Sequence, residues 1–196
     1  MLADRVTDLD LHIEEHALAG HERETSSGFT RATTVVSLRG AGERGRGEDV
    51  TYESAAHDSF RAFGPDLDFA GTYTLGEFSA MLADIDLFPG EEPGQPIFRN
   101  YRRWAIESAA LDLALRQADT NLADCLGRTY DPVRFVVSTR LETPPTGERV
   151  DAWLDRNPDL EFKLDPTSEW TDDVIEQLAA TDAVRTLGLK GQYHGT

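Results

Sequence analysis

The chain has 196 residues, 39% of them hydrophobic, enough for one domain or two small ones with their own cores. Its 36 acidic against 19 basic residues give a formal charge of −17, which opposes binding to nucleic acid or an anionic membrane, since both need basic patches. Met1-Leu2-Ala3-Asp4-Arg5 shows no basic region followed by an apolar run, and no stretch approaches a membrane span, so a cytoplasmic location is expected.

Along the chain, residues 9–18 alternate in part, with Leu9, Leu11 and Ile13 against Asp10, His12 and Glu14, which predicts a half-buried strand. Gly20 to Gly28 has no periodicity and reads as a polar loop carrying His21 and Arg23. The β-branched run Thr33 to Arg39 predicts a second strand and Gly45 to Tyr52 a third, together an antiparallel meander. Helices follow at about Ser54–Ala62 and Leu75–Ile85, the latter opened by Thr74 with Glu77 three residues on, a capping box. After a Pro/Gly-rich link, Asn100 to Ala118 contains no Gly or Pro. Its apolar positions, from Trp104 to Leu115, cover most of the circumference, which predicts a helix buried between layers. Arg103 with Glu107, and Asp112 with Arg116, sit at i,i+4 as helix-stabilising pairs. A short helix over Asn121–Leu126 ends at Gly127 in a left-handed cap, and its Cys125, the sole cysteine, reads as a buried small hydrophobe.

The final third holds three apolar runs, Val133 to Ser138, Leu160 to Asp165 and Val184 to Lys190, separated by helical stretches near Glu148–Asp155 and after Thr171. Strands alternating with helices predict a parallel sheet. Chemistry in such sheets gathers at the carboxyl ends of the strands, where Ser138, Lys163, Asp165 and Lys190 would stand. There is no Gly-x-Gly-x-x-Gly after a strand, no Walker motif and no nucleophile elbow.

Several motifs follow one another in order: Gly45-Arg46-Gly47-Glu48, then Ala105-Ile106-Glu107-Ser108-Ala109-Ala110-Leu111-Asp112-Leu113-Ala114, then Asn121-Leu122-Ala123-Asp124-Cys125-Leu126-Gly127-Arg128. Val133 to Ser138 and Phe162-Lys163-Leu164-Asp165 come next. This succession resembles the enolase superfamily, and more narrowly its mandelate racemase and muconate lactonizing branch. The resemblance implies an α+β capping domain, the antiparallel meander plus helices, over residues 1–130. It implies the first three βα units of a TIM-like α/β barrel over residues 131–196. A barrel needs eight strands and about 250 residues, so an incomplete barrel is expected here.

The chemistry implied is proton abstraction α to a carboxylate, of racemase, dehydratase or cycloisomerase type. Mg²⁺ would be held by carboxylates at the ends of the third, fourth and fifth barrel strands. Lys163 matches the first lysine of the family's Lys-x-Lys pair, and Asp165 stands where the second, usually the base, is found. Asp165 is open to three readings: a base, a metal ligand, or an N-cap-like residue before Pro166. The first metal position falls near Leu187 or Gly188, which offer no side-chain oxygen, so no metal ligand is assigned. Lys190 either positions a carboxylate in place of the cation or is a solvated lysine in a turn. Ser138, and His21 and Arg23 in the loop corresponding to a specificity loop, are the candidate substrate-binding residues; solvation is the alternative for His21 and Arg23.

The leading expectation is the N-terminal part of an enolase-superfamily enzyme acting on a small carboxylate, homo-oligomeric, with the chain alone inactive and Mg²⁺ belonging to the parent protein. One alternative is a non-catalytic relative that pairs its open sheet edge with another chain or a second copy. Another is a metal-free enzyme for small acids built on Lys163 and Lys190.

Overall fold

A computed structural model describes residues 3–25, 29–90 and 92–189. The chain divides into two compact units, Met1–Tyr130 and Asp131–Thr196. Among the described residues no helix is long and apolar enough to cross a membrane.

In the first unit, β1 (Asp10–Ile13) pairs antiparallel with β5 (Gly71–Thr74), while β2 (Glu15–Glu24), β3 (Thr30–Gly40) and β4 (Glu43–Asp49) form a meander in sequence order. The meander matches expectation, with corrected bounds. Residues 9–18 are not one strand, because Glu14 separates β1 and β2 into different sheets. His21 and Arg23 are not in a loop: β2 runs on to Glu24, paired rung by rung with β3. An edge strand exposed on both faces has no alternation to read, and β2 is exposed from Ala19 onward. Tyr52 lies beyond β4, which ends at Asp49. The β3–β4 connection is a two-residue turn with positive φ at Ala41 (50°) and Gly42 (80°), as the twist of a hairpin favours.

Helices α1 (Ser54–Phe63), α2 (Leu75–Ala83), α3 (Ile97–Gln117) and α4 (Leu122–Leu126) complete the unit. Thr74 and Glu77 close the expected capping box on α2, and Gly127 caps α4 at φ 61°. Arg103–Glu107 and Asp112–Arg116 each close at 2.9 Å. Cys125 is half-buried rather than buried, its thiol 3.4 Å from the Arg5 carbonyl. Helix α3 starts three residues earlier than read, and it is not buried all round, since Trp104 is 59% exposed. Its inner face lies directly on β4. A Cβ at Gly45 would stand 2.1 Å from the Ala109 carbonyl, and one at Gly47 would stand 1.9 Å from that of Ala105. The Gly-x-Gly motif is thus a backbone-to-backbone contact that a side chain would prise open.

The core of this unit encloses a guanidinium. Arg102, fully buried, pairs with Asp49 Oδ2 (3.0 Å) and donates to the carbonyls of Leu87 and Ala56 (2.7 Å each). Phe88 and Phe60 flank its plane at 3.8 and 4.4 Å. Asp49 Oδ1 accepts from the Thr51 amide and hydroxyl, so the buried pair is satisfied on both sides.

The second unit holds β6 (Val137–Thr139), α5 (Glu148–Leu154), β7 (Phe162–Leu164), α6 (Asp172–Ala180, capped by Thr171) and β8 (Val184–Leu187). The three strands are parallel in the order β6-β7-β8. Two expected strands are displaced or shortened. Val133 to Val136 are exposed, Phe135 by 83%, and pairing begins at Val137 because the partner β7 is three residues long. β8 stops at Leu187, and Lys190 lies outside the described residues. One face of the sheet packs through Val137, Phe162, Leu164 and Val184 against Val150, Val174 and Leu178.

Candidate functional site

The alternation that buries Phe162 and Leu164 turns Lys163 to the opposite face, which carries no helix of this unit among the described residues. Parallel register sets Ser138 of β6 beside Lys163, and Thr186 of β8 on its other side. A shift in register between Phe162 and Lys163 lets β8 reach this alignment. Ser138 and Thr186 are exposed, and the Lys163 side chain is 32% exposed. Of the predicted residues, the structure therefore brings together Ser138, Lys163 and Asp165. His21 and Arg23 are exposed on β2 of the other unit, opposite Thr33 and Arg31.

Asp165 follows β7 directly, and its Oδ1 lies 3.5 Å from Lys163 Nζ. It is not a helix cap: α6 begins seven residues later, and Thr171 Oγ1 accepts from the Val174 amide there. Gly188, just past β8, donates its amide to the Leu164 carbonyl at 2.8 Å. A Cβ on Gly188 would stand 2.3 Å from Asp165 Oδ1 and 3.6 Å from Lys163 Cε. The Asp165 carboxylate thus fills the space a side chain at 188 would enter. At the tip of the sheet the carboxylate follows β7, and glycine just past β8 leaves room for it.

Below this pair, on the same alternation, lies Glu161, which the sequence reading did not single out. Its Oε1 accepts from Arg185 Nε (2.7 Å) and meets Arg134 Nη1 (3.3 Å). The hydrogen bond to Glu161 raises the Arg185 pKa above its ordinary value. Glu161 Oε2 is buried and has no hydrogen-bond partner among the described residues. Its signal in sequence was a charge at every second residue, Glu161, Lys163 and Asp165, alternating with Phe162 and Leu164.

Mg²⁺ needs several hard oxygen ligands in near-octahedral array. At the end of β8, Leu187 and Gly188 provide none from side chains, and the neighbouring Asp165 carboxylate faces an ammonium. No group of three or more His, Cys, Asp or Glu is placed to hold a metal ion among the described residues. The residues described here do not fit that ion.

Residues 4–125 match the model of a family described as a domain of unknown function (DUF8230), N-terminal domain, and residues 129–196 match that of its C-terminal domain. No curated protein matches the chain. Among solved structures, the muconate lactonizing enzyme from Pseudomonas putida is similar at 19% identity with a TM-score of 0.56, covering 89% of this chain and 51% of that one. An L-Ala-D/L-Glu epimerase aligns at 20% identity with a TM-score of 0.43, covering 87% and 58%. A probable mandelate racemase from Alicyclobacillus acidocaldarius aligns at 18% with a TM-score of 0.41, covering 91% and 56%. The fold is similar to that of the muconate lactonizing enzyme, and the chain spans little more than half the length of these solved proteins.

Proposed function

We propose, on the premise that this chain belongs to the DUF8230 family across both its N- and C-terminal domains, that it supplies the cap and barrel opening of an enolase-type site for a small carboxylate. The observation that carries this reading is the Lys163–Asp165 pair at the carboxyl end of β7, between Ser138 and Thr186. A half-exposed ammonium there, with a hydroxyl on either side, is a ready partner for a carboxylate. In a complete protein the chemistry would be proton transfer at the carbon α to that carboxylate, as in a racemase, dehydratase or cycloisomerase.

The chain alone is inactive in this reading. Asp165 occupies the position of the expected base, yet its negative charge is directed at Lys163, where it also repels an incoming carboxylate. Among the described residues nothing else at the strand ends offers a second base. The test is exchange of the α-proton of mandelate in D₂O, followed by proton NMR with Mg²⁺ present. The expected result is saturable mandelate binding that weakens in Lys163→Met, without exchange above buffer. Exchange catalysed by the chain at this mass would overturn the inactivity, and binding unaffected by Lys163→Met would overturn the site.

A second reading, a non-catalytic module that pairs with another copy of the chain, is favoured by one feature. An apolar groove of about 620 Å³ runs along α6 and β8 beside Trp170, Ile175 and the exposed Leu187 and Leu189. Light scattering after size exclusion, run beside the mandelate titration, separates the two readings, a discrete oligomer that binds no mandelate favouring the second.

A further inference from the structure

The outer face of the meander carries a charge arrangement independent of the carboxylate reading. In β3 Ala32, Thr34, Val36 and Leu38 face the core, so Val35, Ser37 and Arg39 lie on the other face, where Ser37 is itself buried at 4% exposure. Cross-strand register then places Arg44 of β4 opposite Arg39, and Arg46 opposite Ser37. Like charges directly opposite one another weaken a sheet. Here two arginines meet across the ladder, with a third two residues away, in a chain of 36 acidic and 19 basic residues.

The carboxylates nearby offset this only in part. Glu15, opposite Arg39 on β2, pairs with Arg39 Nη1 at 3.3 Å. Glu14 accepts from the Ala41 amide at 3.3 Å and lies 3.5 Å from His12. Arg44 Nη2 donates to Ser37 Oγ at 2.9 Å, and Arg44 Nε is buried with no hydrogen-bond partner among the described residues. Partial burial, then the charges of Arg46 and Arg39, lower the pKa of Arg44, with Glu15 opposing them. These side chains surround a pocket of about 190 Å³ lined by Glu15, His16, Ala17, Ser37, Arg39 and Arg44. A second depression of about 420 Å³ shares Glu15, Arg39 and Arg44 with it and is also lined by Glu14 and Glu43.

We propose that this pocket binds a small tetrahedral oxyanion of the phosphate class, held by Arg44 and Arg39 with the Ser37 hydroxyl. A small shift of the Arg44 side chain turns Nε and one Nη toward the pocket as a side-on fork, the geometry in which guanidinium takes phosphate or carboxylate. Ser37 Oγ, accepting from Arg44, retains its own proton to donate to a further oxygen. Three converging donor groups match a tetrahedral anion better than a planar carboxylate with two oxygens. The anion also offsets the Arg39–Arg44 repulsion, so binding stabilises the meander.

The test is titration with inorganic phosphate at constant ionic strength, read by the Nε–H resonance of Arg44 in proton–nitrogen NMR and by calorimetry. Acetate and chloride form the comparison arms. Wild type is expected to show saturable phosphate binding that shifts the Arg44 Nε–H signal, with acetate and chloride weaker. Arg44→Lys, which keeps the charge and loses the Nε donor, is expected to weaken phosphate binding by about tenfold. Arg156→Gln, an exposed change in the other unit, is expected to leave it unaltered. A thermal melt like wild type's confirms that Arg44→Lys is folded, and Ser37→Ala provides a second variant with the same expected direction. Phosphate binding no stronger than chloride, equal binding in Arg44→Lys and Ser37→Ala, or acetate binding as tight as phosphate would each overturn the proposal.

Discussion

The two units solve the problem of buried charge in opposite ways. In the first, Arg102 is completely enclosed, and its donors end on Asp49, Leu87 and Ala56 while two aromatic rings flank it. In the second, charged side chains line one face of a three-stranded sheet, with Glu161 Oε2 unsatisfied among the described residues and Lys163 half exposed. The first unit is organised around a closed polar network, which fixes one packing because breaking it strands a charge. The second covers one sheet face with helices and leaves charge on the other.

The largest expected effect would break this contrast from the closed side. Arg102→Ala leaves Asp49 buried without its cation and is expected to cost about 3–5 kcal/mol, measured as a lowered midpoint for urea unfolding of the first unit. A loss below about 1 kcal/mol would mean that the network does not organise this core. Next, Phe162→Ala removes the fully buried ring beneath Lys163 and is expected to cost about 3–4 kcal/mol in the second unit. Unfolding transitions that respond to one substitution each would sharpen the contrast, and a single transition lowered by both would remove it. The smallest effect concerns the open face. Gly188→Ala crowds a movable carboxylate rather than backbone, so it is expected to cost only about 1 kcal/mol while displacing Asp165 from Lys163. The ¹³C-methyl resonances of reductively methylated lysines report it, because Lys163 and Lys190 are the chain's only lysines.

The sequence was most readable where a local rule acts alone. The Thr74 capping box, the Gly127 cap and the i,i+4 pairs on α3 depend on neighbours within one or two turns, and each formed as read. The Gly45-x-Gly47 motif was visible, although its cause, backbone contact with α3, requires the tertiary structure. Arg102 was invisible because a helical arginine normally reaches solvent, and nothing in its own heptad reveals that Asp49 waits opposite. His21 and Arg23 were misplaced because an exposed edge strand carries no burial pattern. At the candidate site, Lys163 and Asp165 could be named from sequence, whereas their pairing, and the role of Gly188 in making room for it, depend on the register of β7 with β8.

The central claim is that the tip of β7 receives a carboxylate on Lys163. It is tested most directly by titrating mandelate into the ¹³C-methyl-lysine protein and following the Lys163 signal. The account predicts a saturable shift of that resonance, lost in Lys163→Met and absent with an uncharged ester of the same acid. A Lys163 resonance that stays fixed at saturating mandelate, or that moves equally with the ester, would contradict it.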